Sequence, residues 1–490
     1  MLLSELLGGL SPKTEYIDRE ITGLSSDSRR VAAGGCYFCL KGSAADGHDF
    51  ASKAVENGAA AVVCERPLGL ENEIVVEDTH DAYAVACGHW FGDPQNDLKL
   101  IGVTGTNGKT TVTCLLRDVL RGFGKTVGMI GTIETDVDGM TFPAKYTTPD
   151  PLTFFSLLAQ MRDAGCEYVS AEVSSHGLDQ KRIGACRFVA GIFTNLTQDH
   201  LDYHKTMENY FAAKRSLFAH CDIGIVNADD PWGVRLLDDV TECPLVTFSA
   251  AGLGEADYTA KNIELRADGG RFAVVTGDRI CRMRFPVPGA FSVSNAMAVL
   301  ACLVELGFPL DETARLLGQS RGVPGRFEVL QTGTPFTVIR DYAHAPDAIE
   351  KVLAALRATA AGRIVILFGC AGNRDRTKRP KMAAAAAKGA DFVILTSDNP
   401  RDEDAMRIIE DALPGLQESK TPYRVICDRY EAIEWALRNS RAGDTLLLAG
   451  KGHEEYQVLP HATVHFDERE IVTELLEKIA AERKESTCER

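Results

Sequence analysis

The sequence has no apolar run approaching the roughly 18 residues needed to span a bilayer, which argues against membrane insertion. It has no excess of basic charge either: 53 Lys and Arg stand against 69 Asp and Glu, a net charge of −16. A nucleic-acid coat wants a basic face, so that class is set aside, although local basic pockets remain open. The start, "MLLSELLGGL", lacks a basic n-region and carries Glu5 among its leucines. It reads as an amphipathic first helix, not a signal peptide. Without a secretion signal, the 14 cysteines read as reduced thiols in a cytoplasm. One Cys-x-x-Cys exists, Cys36 to Cys39, with no second pair to complete a zinc site. It lies in a strand-like run and reads as buried. No short internal repeat is present, and the alanines at 383–387 are helix-favouring composition.

What is present is an ordinary globular composition, 45% hydrophobic and 25% charged. At roughly 100–200 residues per domain, 490 residues imply about three domains. Residues 1–98 read as a small mixed α/β unit, with strand-like runs at "CYFC", "GAAAVVCE" and "NEIVVED" and a turn-rich joint at "FGDPQNDLK". Residues 99–325 restart the pattern, with runs at "KLIGVTG", "TVGMIGT", "EYVSAEVSS", "FVAGIFTN" and "DIGIVNADD". Helix-compatible stretches fall between several of them, which predicts a parallel sheet with helices on its faces. Residues 326–490 offer four more buried runs, "RIVILFGCAG", "DFVILTSDNP", "YRVICD" and "DTLLLAGKGHE", separated by stretches such as "KRPKMAAAAAKGA". This is again a doubly wound α/β pattern, in which ligands sit beyond the carboxyl ends of the strands. Asp398 and Gly450 fall there. The last dozen residues read as a charged, frayed end.

The strongest local signal is "LIGVTGTNGKTTVTCLL". A β-run leads into Gly105, Thr106, Asn107 and Gly108, then Lys109, Thr110, Thr111 and a helix. Glycines let backbone N–H groups turn toward phosphate oxygens, and the helix start adds partial positive charge. Lys109 is placed to reach terminal phosphates, and the Thr110 hydroxyl to meet Mg²⁺. The strict phosphate-loop pattern fails at one place, where Val103 stands for its first glycine. Glu172, at the end of a strand-like run, is a natural oxygen ligand for a hard cation, or else a solvated loop acid. His200 and His204 would share a face if both lay on one helix. Leu201 stands where a zinc protease needs Glu, so that chemistry is set aside. Lys214 lies amid Tyr210, Phe211 and Phe218. Most such lysines are solvated, but a desolvated one loses its proton and can react with CO₂.

"TSDNPRDED" closes the second of the four buried runs in the third unit. It holds Asp398 and Arg401 close together on a loop stiffened by Pro400. That suits a small zwitterion; the plainer reading is an Asx-Pro turn with a surface arginine.

Taken in order, "GVTGTNGKTT", "EVSSHGLDQKR", "NLTQDHLDYH", "AAKRSLF", "SNAMA", "YAHAPDAI", "GNRDRTKRP", "DNPR" and "GKGHE" resemble the motifs of the Mur ligases. The resemblance spans nearly the whole chain. Within that family it points to the branch adding the third stem-peptide residue, and to its meso-diaminopimelate sub-type, which carries Asp-Asn-Pro-Arg. The resemblance implies three domains: an N-terminal uridine-binding unit, a central phosphate-loop ATPase and a C-terminal Rossmann-like unit. It implies a cytoplasmic, monomeric enzyme of peptidoglycan precursor synthesis, with Mg²⁺ as cofactor and ATP as co-substrate. ATP would phosphorylate the D-glutamyl carboxylate of UDP-N-acetylmuramoyl-L-Ala-D-Glu, and an amine would then displace phosphate.

Carried over residue by residue, Gly105 to Thr111 resemble ATP contacts, with Asn295, Arg326 and Asp341 near adenine or ribose. Lys109, Glu172, His200 and Lys214 resemble the catalytic set. Thr110, Glu172, His200 and a carbamylated Lys214 (N6-carboxylysine) resemble its metal ligands. Ser26, Ser28 and Ser43, Ala44 and Ala45 resemble uridine-binding loops. Thr147, Thr148, Ser174, Gln180 and Arg182 resemble contacts to diphosphate and peptide, although Tyr146 departs from a small polar residue found in some relatives. Arg374, Asp398, Asn399, Pro400, Arg401, Gly450 and Glu454 resemble the diaminopimelate site. There Arg401 would grip the far carboxylate, and Asp398 and Glu454 would meet the far ammonium. The rival readings are an L-lysine-adding ligase, a folylpolyglutamate-type ligase, a phosphotransferase that makes no amide, and a nucleotide binder without catalysis.

Overall fold

Four short apolar runs build the first sheet: β1 (Leu24–Ser25), β2 (Cys36–Phe38), β3 (Ala61–Cys64) and β4 (Glu73–Val75). They pair in parallel in that order. Parallel sheets need both faces covered. Ala82, Ala86 and Cys87 of helix Thr79–Trp90 pack on Cys36, Phe38 and Val63. Ala51 and Ala54 of helix Ala51–Glu56 pack on the other face, against Tyr37, Cys39 and Val62. Cys36 and Cys39 therefore enter opposite cores, and burial pushes the Cys39 thiol up to about 12. The expected first helix is a single turn, Leu3–Leu6, whose Leu3 and Leu6 are buried. The structure, a computed structural model, describes residues 1–42, 45–144, 146–252, 255–266, 269–320 and 322–488.

The central sheet holds eleven strands. They are β5 (Lys99–Thr104), β6 (Val127–Ile130), β7 (Glu134–Val137), β8 (Met140–Pro143), β9 (Tyr168–Glu172), β10 (Phe188–Phe193), β11 (Gly224–Asn227), β12 (Leu245–Ser249), β13 (Tyr258–Arg266), β14 (Gly269–Thr276) and β15 (Arg279–Phe285). Their order is β15-β14-β13-β12-β11-β10-β5-β9-β6-β7-β8. The five runs expected from the sequence form parallel strands at its centre. Helices Lys109–Gly122 and Ala290–Glu305 cover one face through Val112, Leu116, Ala296 and Leu300. Helix Pro151–Asp163 covers the other through Phe154 and Leu158. Registers Val103↔Glu172 and Thr104↔Phe193 bring the carboxyl ends of β9 and β10 level with the end of β5. The antiparallel additions β7–β8 and β13–β15 were not anticipated. Their outer faces alternate apolar with charged residues, as in "RICRMRF", so they lack the continuous apolar signature of a buried strand.

The third sheet runs β16-β17-β21-β18-β19-β20. Its strands are β16 (Glu328–Leu330), β17 (Thr337–Asp341), β18 (Ile364–Cys370), β19 (Phe392–Ser397), β20 (Tyr423–Val425) and β21 (Thr445–Ala449). Only β16 is antiparallel to its neighbour. A hairpin, β22 (Tyr456–Val458) with β23 (Thr463–His465), follows. Helix Glu468–Cys488 runs through the described part of the last dozen residues, where the sequence suggested a frayed end. Val472, Leu475 and Ile479 anchor it in the core beneath the sheet.

Candidate active site

Thr104 ends β5, and the chain must then turn tightly before helix Lys109–Gly122. Gly105 and Gly108 do this at φ +148° and +88°. A Cβ at Gly105 would lie 1.9 Å from Thr194 Oγ1, and one at Gly108 would lie 2.6 Å from Asn295 Oδ1. Only glycine fits either place. The loop is braced by the residues after β10. Thr106 N–H donates to Asn195 O (2.8 Å), Asn107 N–H to Asn195 Oδ1 (3.0 Å), and Thr194 Oγ1 to Asn107 O (2.6 Å). Lys109 folds back over the loop and donates to the Gly105 and Thr106 carbonyls, both at 2.9 Å. Desolvation holds its pKa below the usual lysine value.

Glu172, nearly fully buried, accepts from Thr110 Oγ1 and Thr132 Oγ1, both at 3.0 Å, and from Thr132 N–H at 2.7 Å. Among the described residues no group of three or more His, Cys, Asp or Glu side chains is arranged to hold a metal. A hydroxyl beside one carboxylate nevertheless fits Mg²⁺, which keeps several waters and takes its other oxygens from phosphates. Thr132 extends the network to Thr147 (Oγ1 to Oγ1, 3.0 Å). Thr148 donates to Glu172 O (2.8 Å) and accepts from Ser174 N–H (2.9 Å). Ser174 then caps helix Ser175–Asp179. Arg182 binds Gln180 Oε1 (2.7 Å) and Thr148 O (2.6 Å) and lies over the Tyr146 ring at 6.0 Å. Thr147, Thr148, Ser174, Gln180 and Arg182 are thus one cluster contiguous with Glu172. Of the first unit's expected contacts, Ser28 is buried and Ser26 and Ala45 are exposed, while Ser43 and Ala44 lie outside the described residues.

His200 and His204 do not share a helix face. His200 takes left-handed backbone (φ +52°) just before the short helix Leu201–His204. His204 is buried against Ser175 Oγ at 2.9 Å. His200 has one side exposed, with Asp199 on the other. Desolvation, with His176, Lys109 and Lys214 nearby, pushes the His200 pKa down to about 3 against the pull of Asp199. A neutral imidazole keeps its lone pair free. Lys214 is buried on helix Met207–Arg215 and donates to Gly105 O at 2.8 Å. Two lysines therefore share one phosphate-loop carbonyl. Burial, and then Lys109, drive the Lys214 pKa well below the ordinary lysine value.

The third unit closes on this loop. Arg326 donates to Thr110 Oγ1 (2.9 Å) and stacks 4.5 Å over the Tyr342 ring. Asp347, at the start of helix Pro346–Arg357, accepts from Asn107 Nδ2 and Thr197 Oγ1, both at 3.1 Å. Lys378 pairs with Asp199. Asp341 ends β17 and accepts from the Phe327 and Ala343 N–H groups, each at 2.7 Å, and burial raises its pKa.

Beyond β19 and β21 lies a second cluster. Asn399 donates to Glu454 Oε2 (2.8 Å), while Lys451 reaches Asn399 Oδ1 (3.2 Å) and Glu454 Oε2 (3.3 Å). Gly450 takes φ +110°, and a Cβ there would lie 2.7 Å from Asp398 Oδ2. Burial, and next Asp398, raise the Glu454 pKa. Pro400 leads into Arg401 at φ +54°, whose Nη1 donates to Gly372 O at 2.9 Å. Its Nε and Nη2 meet no protein acceptor among the described residues. Arg374 is exposed beside this loop, touching only Asn373 O at 3.2 Å.

Sequence reasoning did not single out Thr132, Asp199, Asp347, Lys378 or Lys451. Asp199, Asp347, Lys378 and Lys451 lay within quoted motifs, but their partners are 179, 240 or 52 positions away, or span two units. No local pattern announces such pairs.

The Mur ligase family catalytic domain matches residues 20–87, the Mur ligase middle domain 103–303, and the Mur ligase glutamate ligase domain 325–452. A Geobacillus thermodenitrificans (strain NG80-2) protein, "UDP-N-acetylmuramoyl-L-alanyl-D-glutamate--2,6-diaminopimelate ligase", is 42% identical over 463 residues, covering 92% of this chain and 94% of its own. The chain belongs to the Mur ligase family. A Parabacteroides distasonis protein of the same name is 43% identical over 488 residues, covering 97% of this chain and 99% of its own. A solved structure titled "Structure of UDP-N-acetylmuramoyl-L-alanyl-D-glutamate--2, 6-diaminopimelate ligase" superposes with a TM-score of 0.69 at 31% identity, over 98% of this chain and 99% of that one. Mur ligases are ATP-dependent, and in this one Asp347 couples the third unit to the phosphate loop. Asp347→Ala is expected to raise the KM for ATP about tenfold, about 1.4 kcal/mol and the scale of one charge-assisted hydrogen bond. Steady-state kinetics with each substrate varied in turn checks this; the KM for the amine should stay near its original value.

Proposed function

We propose that this Mur ligase joins meso-diaminopimelate to UDP-N-acetylmuramoyl-L-Ala-D-Glu at the expense of ATP, forming the tripeptide precursor of peptidoglycan. The observation that carries the reading is the buried Asp398–Asn399–Glu454–Lys451 cluster with Arg401 at its edge, borne by the unit that closes on the phosphate loop. The names of the relatives support it. In this reading residues 1–98 hold the uridine end through Ser26, Ser28 and the 43–45 loop. Residues 99–325 hold ATP, and residues 326–490 hold the amino acid. Thr147, Thr148, Ser174, Gln180 and Arg182 receive the diphosphate and dipeptide, beside Glu172. Asn295, Arg326 and Asp341 frame the adenosine.

The D-glutamyl carboxylate is a poor electrophile. Its oxygen attacks the γ-phosphorus of ATP, ADP leaves, and an acyl phosphate forms. The neutral amine of diaminopimelate then attacks the acyl carbon. The C–N bond forms, phosphate departs with the C–O electrons, and the amine loses a proton. The chain's task is to position the reactants and neutralise charge. Lys109 and the Gly105–Thr111 N–H groups take the phosphates. Mg²⁺ held by Thr110 and Glu172, and a second ion at His200, would balance phosphate charge. Burial, and then Lys109, favour loss of the Lys214 proton, and the freed nitrogen would add CO₂ and release a proton, giving a carbamate and so an anion in place of a cation. At the far end of the substrate, Arg401 reads a carboxylate that lysine lacks, with Arg374 beside it, and Asp398 and Glu454 read the ammonium. We place the reaction in the cytoplasm with a monomeric enzyme. Thirteen cysteines, from Cys36 to Cys427, are free, and no described helix is long and apolar enough to cross a membrane.

Phosphate release from ATP, with the nucleotide dipeptide present, is expected with meso-diaminopimelate and not with L-lysine or without amine. Release with lysine would make this the lysine-adding ligase, and release without the nucleotide dipeptide would overturn the reading. Arg401→Ala is expected to raise the KM for diaminopimelate about 10- to 100-fold, the ~1.5–3 kcal/mol of a hydrogen bond to a charged group, with the KM for ATP nearly unchanged. Lys214→Ala should lose most turnover and regain part of it with a short carboxylic acid; full activity without rescue would remove the carbamate.

A further inference from the structure

The third unit contains a buried ion pair that the chemistry above does not use. Arg429 and Glu468 have fully buried side chains, with Arg429 Nη2 at 2.7 Å and Nε at 2.9 Å from Glu468 Oε1. Arg429 begins helix Arg429–Asn439 behind its Asp428 cap, and Glu468 begins helix Glu468–Cys488. The guanidinium also donates from Nη1 to Ser397 O (3.2 Å) and from Nη2 to Ala449 O (2.9 Å). Ser397 is the last residue of β19 and Ala449 the last of β21. The next residues are Asp398 and Gly450, where the two amino-acid-binding loops start.

β19 and β21 are not neighbours, because β18 lies between them. Adjacent strands sit roughly 4.8 Å apart, so a flat sheet would hold these two ends roughly 9–10 Å apart. Here one planar fork bonds both carbonyls. Just above it, a Cβ on Gly450 would come within 2.7 Å of Asp398 Oδ2. Stability does not account for the pair. Desolvating two charges offsets their attraction, and apolar residues of similar volume would pack as well or better. Glu468 Oε2, moreover, has no hydrogen-bond partner among the described residues, a further cost. What apolar residues cannot do is tie two carbonyls from separated strands to one rigid group.

We propose that Arg429, oriented by Glu468, is a positioning residue for the amino-acid site. It fixes the separation of the Asp398–Arg401 and Gly450–Glu454 loops, and thereby the fit of the far end of the diamino acid. Arg429 acts only through those loops. The inference rests on the ligase reading above, and the two are separable: turnover of the unaltered chain with each diamino acid decides that reading, while the KM for whichever amine is used decides this one.

The test is steady-state kinetics on the full chain with Arg429→Lys and Glu468→Gln, each first checked by thermal unfolding. Lysine keeps the charge and loses the fork. Glutamine keeps the volume and one acceptor while removing the carboxylate charge that orients Arg429. Arg429→Lys is expected to raise the KM for the amine tenfold or more, and Glu468→Gln three- to fivefold. The KM values for ATP and for the nucleotide dipeptide should stay within twofold. An amine KM within twofold of the unaltered enzyme in both folded variants would overturn the proposal, as would a common rise in all three KM values. Should Arg429→Lys not fold, the near-isosteric Glu468→Gln decides on the same criteria.

Discussion

A single hydroxyl group joins the working parts of this Mur ligase. Thr110 Oγ1 accepts from Arg326 of the third unit and donates to Glu172 of the central sheet. Glu172 in turn accepts from Thr132, which reaches Thr147. The phosphate loop, the closing unit and the cluster proposed to hold the dipeptide are therefore one hydrogen-bonded chain. Of these links only Arg326 to Thr110, at 2.9 Å, crosses from the third unit, and it cannot be satisfied with that unit swung away.

The arrangement also explains the distribution of charge. Lys109, Lys214 and Arg326 donate to the Gly105–Thr110 loop, and Lys378 pairs with Asp199 near it, a gathering of cations that suits the polyphosphate proposed to bind there in a chain whose net charge is −16. Desolvation strengthens each of these interactions and also makes excess positive charge costly. That cost is what drives Lys214 toward neutrality, while Asp199 and Asp347 offset the rest. The third unit solves a different problem. In the proposed reading it meets both charges of a zwitterion with Asp398, Glu454 and Arg401, and its strand ends are held by the buried Arg429 as well as by apolar packing.

The sequence by itself determined the parallel cores and the kind of chemistry. Continuous apolar runs marked β5, β9, β10, β18, β19 and β21, because parallel strands are buried on both faces. Glycines with a lysine and threonines marked the phosphate loop, because a tight backbone turn at a helix start leaves few alternatives. Asp-Asn-Pro-Arg marked, through its position after a strand, the loop proposed to bind the amino acid. The antiparallel strands β7–β8 and the half-exposed β13–β15 escaped notice, since their patterns are short or mixed with charge. Only the tertiary structure decided which distant groups meet: Asp347 with Asn107, Lys378 with Asp199, Arg326 with Thr110, Arg429 with two strand ends. It also separated His200 from the helix that carries His204, through one left-handed residue. Pairings of this sort depend on how three units close around one another, and a linear pattern carries periodicity along the chain, not the approach of one unit to the next.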